Sequence, residues 1–203
     1  MNVQAVCHSN LRFSHISCVC PGSTHDSYAL YSTDLGKILL DGLKSQYFIA
    51  ADEAYPLAGA LISRYPGSQL GTFQESFNYY LSRCRVRIEN AFALLVGKWG
   101  LLWKPLHIPL LKIPTMLIAL GRLHNLGVDL DSDHADRNFA LYKELSQGRL
   151  EFQSTLVTLP AFSDYVEIAG DKKTDARITR EKMKEYLEEH GIMKPSYAIR
   201  ERI

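Results

Sequence analysis

The chain has 203 residues, 46% hydrophobic and 22% charged, with a net charge of +1. That places it among globular proteins of one domain, or one domain with an extension, and excludes a disordered or globally basic chain, so any nucleic-acid surface must come from local clustering. The most apolar run, Leu101 to Leu120, is interrupted by Lys104, Pro105, Pro109, Lys112 and Pro114, which excludes a membrane span.

Asn2–His8 and Arg12–Cys20 are β-rich runs joined by Ser9-Asn10, a tight-turn pair, and together predict a hairpin. The first run is already strand-like at its opening, so the expectation is that a strand of the same domain precedes it. Pro21-Gly22-Ser23 ends the second run, and His25–Leu43 reads as helical through Ala29, Leu30, Leu35, Ile38, Leu39 and Leu43. Tyr47–Ala51 is short and continuously apolar, the mark of a strand buried on both faces, and it ends in Asp52. Residues 56–72 carry Pro56, Gly59, Pro66, Gly67 and Gly71, predicting a loop around a short helical piece near Leu61. Phe73–Leu102 is the longest periodic segment, with Phe73, Phe77, Tyr80, Cys84, Ile88, Ala91, Leu95 and Leu102 on one helical face. Thr115–Val128 is a further helix. Beyond Asp129 the composition turns polar, and a charged helix at about 174–190 is stopped by Gly191. A boundary near residue 130 separates a domain over 1–128 from an extension over 129–203.

Asp52 and Glu89 carry the chemistry. Asp52 follows a buried strand, so its carboxylate emerges at the strand's carboxyl end, where open α/β sheets bind ligands. At ~100° per residue, Asn78, Ser82, Arg85 and Glu89 fall within about 40–60° of helical arc, at the edge of the apolar stripe. Two carboxylates there suit a hard divalent cation. Two such ions activate water and stabilise the leaving oxygen in phosphodiester cleavage, and a third carboxylate normally bridges them. The plainer reading makes Asp52 a turn residue and Glu89 an exposed partner of Arg85.

The wording around both residues is distinctive: Asn2-Val-Gln-Ala-Val-Cys, Pro21-Gly22-Ser23-Thr24-His25-Asp26-Ser27 and Ala51-Asp52-Glu53-Ala54-Tyr55-Pro56. Phe77-Asn78, Ser82-Arg83-Cys84-Arg85-Val86-Arg87-Ile88-Glu89-Asn90-Ala91-Phe92 and Leu123-His124-Asn125 follow in order. Together these elements resemble the DDE superfamily endonuclease domain of PIF/Harbinger-type transposases. The resemblance implies an RNase H-like mixed sheet with flanking helices and a C-terminal helical extension. It implies Mg²⁺- or Mn²⁺-dependent DNA cleavage, with Asp52 and Glu89 as the second and third catalytic, metal-binding carboxylates. The first catalytic Asp of such domains sits on a central strand before Asn2, which is expected to be missing here. Its loss predicts a sheet with a gap, or direct antiparallel pairing of Asn2–His8 with Tyr47–Ala51. His8, Ala93 and Val96 stand where relatives carry an acidic residue, a glycine and a basic residue.

Rival constellations are weaker. His8, His15, Cys18, Cys20 and His25 crowd one hairpin, but without the paired spacing of a zinc site. Cys7, Cys18, Cys20 and Cys84 form no disulfide framework, and a reducing compartment, nucleus or cytosol, is expected. His25-Asp26-Ser27 holds triad residue types, yet near-adjacent side chains are expected not to reach one another in a relay, and Asp26 reads as a helix N-terminal residue. His124 and Asn125 read as packing and capping residues. Arg85 is a candidate DNA-phosphate contact, Arg83 and Arg87 read as solvated or paired, and the tail helix reads as a solvated mixed-charge face. Two functions stand: a metal-dependent DNA endonuclease or transposase domain of the nucleus, or an inactive transposase-derived remnant binding DNA or protein. The enzyme reading adds a separate DNA-binding partner protein and no membrane; oligomeric state is not legible.

Overall fold

A computed structural model of the chain describes residues 1–43, 47–130 and 175–195. The fold is mixed α/β, with helices and two small sheets among the described residues. They group into two compact units. The first takes Met1–Thr24 and Val86 to residue 130, the second His25–Arg85 and residues 175–195. The tail charges before residue 175, and most of the extension over 129–203, lie outside the described residues.

In the first unit, strands β1 (Asn2–Cys7) and β2 (Phe13–Cys20) form the expected antiparallel hairpin. Its turn is closed by Leu11 N–H donating to the His8 carbonyl (3.0 Å) and His8 N–H donating to the Arg12 carbonyl (2.9 Å). Leu11 takes φ +69°, a left-handed conformation that costs a branched residue roughly 1–2 kcal/mol. Burial offsets that cost: Leu11 and Phe13 join Ala91, Leu95 and Leu120 in the core of this unit.

In the second unit, the predicted helix over His25–Leu43 is two helices, α1 (Asp26–Tyr31) and α2 (Asp34–Asp41). Thr33 makes the break: its hydroxyl donates to the Leu30 carbonyl (2.8 Å) and accepts the Gly36 N–H (3.0 Å), capping α2. Gly36 is required there, because a Cβ would stand 1.9 Å from the Leu30 carbonyl oxygen.

Tyr47–Ala51, expected as a strand buried on both faces, has an exposed Tyr47 and only a two-residue, half-buried strand β3, Ile49–Ala50, whose partner is a parallel strand β4, Leu61–Ile62. This corrects the helical piece expected near Leu61. Ala60, Leu61 and Ile62 are all buried, and a buried apolar triplet beside β3 gains more from ladder hydrogen bonds than from one helical turn. It also corrects the expected direct pairing of Asn2–His8 with Tyr47–Ala51, since β1 pairs with β2 and β3 with β4.

The long helix α3 runs Thr72–Lys98 and ends in a 3₁₀ turn at Gly100–Trp103, so Leu102 falls outside it. Its apolar stripe is buried at Phe77 and Leu81 in the second unit and at Ala91 and Leu95 in the first, while Cys84 is exposed. α4 (Ile113–Leu130) packs on β2 in the first unit, with Gly121 against Ile16. α5 (Ala176–Glu189) belongs to the second unit. No helix among the described residues is long and apolar enough to cross a membrane.

Candidate functional site

Ala51 is buried and its N–H donates to the Ile62 carbonyl (2.9 Å), so the ladder runs up to the residue before Asp52. Asp52 then turns outward. Its Oδ1 accepts the Glu53 N–H (2.7 Å) and its carbonyl accepts the Tyr55 N–H (3.0 Å), a local turn that lifts the carboxylate off the strand end. Two arginines face this turn. Arg64 Nε lies 2.7 Å from Glu53, and Arg85 lies 3.8 Å from Asp52 Oδ2, a loose ion pair beyond hydrogen-bond reach. Asp52 remains 55% exposed. Arg85, expected beside Glu89 as a phosphate contact, is thus already turned to a carboxylate of its own unit.

Glu89 belongs to the first unit and is exposed on α3, next to Ile88, which packs against the Leu11–Phe13 core. Arg85 and Glu89 are four residues apart in one helix and share its face. Among the described residues no three or more His, Cys, Asp or Glu side chains are gathered to hold a metal ion.

The rival residues take structural roles. Cys18 and Cys20 are buried free thiols, and burial pushes the Cys18 thiol up. His25 caps α1, its Nδ1 accepting the Ser27 N–H (3.3 Å). That ring nitrogen also lies 2.8 Å from Ser27 Oγ, so these two side chains do reach one another, as a helix cap. Asp26 is the first residue of α1.

Asn125, read as a packing or capping residue, and Asn78 both turn out to be backbone clamps. Asn78 on α3 accepts the Tyr65 N–H (2.8 Å) and donates to the Tyr65 carbonyl (3.0 Å). Asn125 on α4 does the same to Phe13, at 2.8 and 2.7 Å. Each clamps both backbone groups of one buried aromatic residue. The signal available in sequence was an asparagine one step off a helix's apolar stripe, which does not reveal the distant backbone it holds. Arg64 was also missed; an acidic residue directly after Asp52 calls for a nearby cation.

His124, on the same helix turn, donates from Nε2 to the Leu11 carbonyl (2.9 Å) and holds the left-handed turn residue. Burial pushes its imidazole below the ordinary histidine range, outweighing that bond, and Lys98 adds to the downward push. The unfolded chain therefore takes up a proton that the folded one resists, and stability falls as pH drops below ~6.5. Urea midpoints at pH 7.5 and 5.5 are expected to differ in that direction, and the difference should shrink in His124→Gln. An unchanged pH slope in that variant would remove His124 from the account; half-buried His15, shifted the same way, supplies the remaining slope.

The sequence matches the family described as DDE superfamily endonuclease over residues 1–125. Among curated proteins, a relative named Protein ALP1-like, from Arabidopsis thaliana, is 25% identical over 153 residues. The match covers 67% of this chain, and the chain spans about 37% of that relative's length. No solved structure matches.

Proposed function

The chain belongs to the DDE superfamily endonucleases, and from that premise we propose a PIF/Harbinger-type domain with an RNase H-like arrangement that cleaves DNA with Mg²⁺ or Mn²⁺. Asp52 and Glu89 are the residues that would hold the ion. Carboxylate oxygens are the donors a hard cation takes, so the donor type fits. When bound, the ion supplies activation of the attacking water and stabilisation of the leaving oxygen. The observation that carries the reading is Asp52 just beyond strand β3 and buried Ala51 within the matched residues, with Arg85 turned to it from α3. Arg85, one helical turn from Glu89, serves as the cation that first neutralises Asp52 and then contacts a DNA phosphate. Two-ion chemistry takes a third carboxylate besides these two. The substrate is DNA, sequence recognition comes from a separate DNA-binding partner protein, and the setting is the nucleus.

The test is Mn²⁺ binding followed by electron spin resonance, with plasmid nicking measured in parallel. Asp52 and Glu89 by themselves are expected to bind Mn²⁺ weakly and to support only slow nicking, because two carboxylates do not fix two ions. Asp52→Asn and Glu89→Gln should each weaken Mn²⁺ binding by more than ~10-fold. Equal binding in Asp52→Asn would sink the reading and leave a DNA- or protein-binding remnant in its place.

A further inference from the structure

α5 lies wholly beyond the residues that match the family, and its composition is dominated by charge. The helix forms because Asp175 caps it, accepting the Arg177 and Ile178 N–H groups at 2.9 and 3.3 Å, and it stops at Gly191, whose φ is +61°. Ala176, Met183 and Leu187 recur at steps of seven and four, one face of a helix, and all three are buried with Ile62, Tyr65, Phe77 and Leu81. The expected solvated helix therefore has a second, packed face.

The polar contacts on that face converge on the segment after β4. Glu181 accepts the Tyr65 hydroxyl at 2.8 Å and pairs with Lys184 at 3.0 Å. Arg180 lies 4.0 Å from the Tyr65 ring centroid and donates to the Arg64 carbonyl (3.3 Å). From there the path to Asp52 is short. The Arg64 side chain grips Glu53, and Ile62, fully buried under α5, accepts the Ala51 N–H.

We propose that α5 is a positioning element for Asp52: docked through Arg180 and Glu181 onto Tyr65 and Arg64, it fixes β4, and β4 in turn fixes the strand end from which Asp52 emerges. The proposal rests on the reading of Asp52 as a metal ligand. A two-residue parallel ladder is far too short to hold its own register, so its geometry must come from what packs behind it. A phenol bonded to a carboxylate and stacked by a guanidinium supplies direction as well as burial.

The experiment is amide hydrogen exchange by NMR on the full chain, with Mn²⁺ titration of the same samples. Tyr65→Phe keeps the ring and removes the bond to Glu181. Glu181→Gln, a milder change, serves if Tyr65→Phe does not fold. Either variant should raise exchange at Ile49 and Ala51, whose N–H groups bond to β4 and the residue before it, by ~10-fold or more. Exchange along β1 and β2 should be unchanged, and Mn²⁺ affinity should fall several-fold. Arg180→Gln should do the same, with Arg180→Lys restoring part of the Mn²⁺ affinity through its charge. Unchanged exchange at Ile49 and Ala51 overturns the proposal. So does raised exchange with wild-type Mn²⁺ affinity, which would make α5 a source of stability alone. Asp52→Asn separates the two levels: wild-type Mn²⁺ binding there removes Asp52 as a ligand, whereas the exchange data still decide whether α5 sets the strand.

Discussion

Asn125→Ala is expected to destabilise the first unit by about 2–4 kcal/mol, a large share of the ~5–15 kcal/mol that holds a typical domain. The asparagine side chain is the partner of both the N–H and the carbonyl of Phe13, a residue only 6% exposed. Removing it leaves two shielded backbone groups without their bonds, and each unsatisfied group costs on the order of 1–3 kcal/mol. The Phe13 ring would be loosened as well, and it packs against Phe92 and His124 at centroid distances of 5.4 and 4.9 Å. Asn125→Asp is a sharper test of the clamp. A carboxylate still accepts from the Phe13 N–H, but it has no donor for the carbonyl and sets a negative charge against it, so the cost should match alanine's. Trp99 and Trp103 both belong to the first unit, and their fluorescence during urea unfolding reads the effect directly. An alanine variant within ~0.5 kcal/mol of wild type would show that water replaces the clamp.

The hairpin, the presence of a strand before Asp52 and the long helix were legible because each declares itself locally. Ser9-Asn10 sits between two apolar β-rich runs, Tyr47–Ala51 is a continuous apolar stretch, and α3 holds its period over seven turns. What was not legible depended on partners distant in sequence. β4 is two residues long and exists only because β3 lies beside it, so no period marks it. The break between α1 and α2 turns on one threonine hydroxyl and one glycine packed on a carbonyl, a detail that the apolar spacing of the segment runs straight through. Around the candidate residues, the strand just before Asp52 and the helical position of Glu89 were legible. The neighbour of Asp52 was not. Arg85 was read beside Glu89, four positions away, because helix spacing shows only partners on the same helix, and its ion pair with Asp52 is invisible to that spacing.

Leu187→Ala should cost about 2–5 kcal/mol in the second unit, the usual penalty for emptying a buried leucine site. Leu187 is 4% exposed, and its neighbours Phe77 and Leu81 belong to the long helix α3, which Asn78 ties to Tyr65, so collapse into the space left behind is restricted. A truncation on the other face of the same helix gives the contrast. Lys182 is exposed, and Lys182→Ala should stay within about ±0.5 kcal/mol of wild type. Since no tryptophan belongs to the second unit, circular dichroism or amide exchange must read these changes. The helix devotes few of its fourteen residues to the core, and that is why its charge pattern suggested a fully solvated surface. A helix needs only a narrow stripe to dock, and each residue in a narrow stripe carries a large share of the packing. If Leu187→Ala proved as mild as Lys182→Ala, α5 would be a solvated helix after all, and the packed face assigned to it would be wrong.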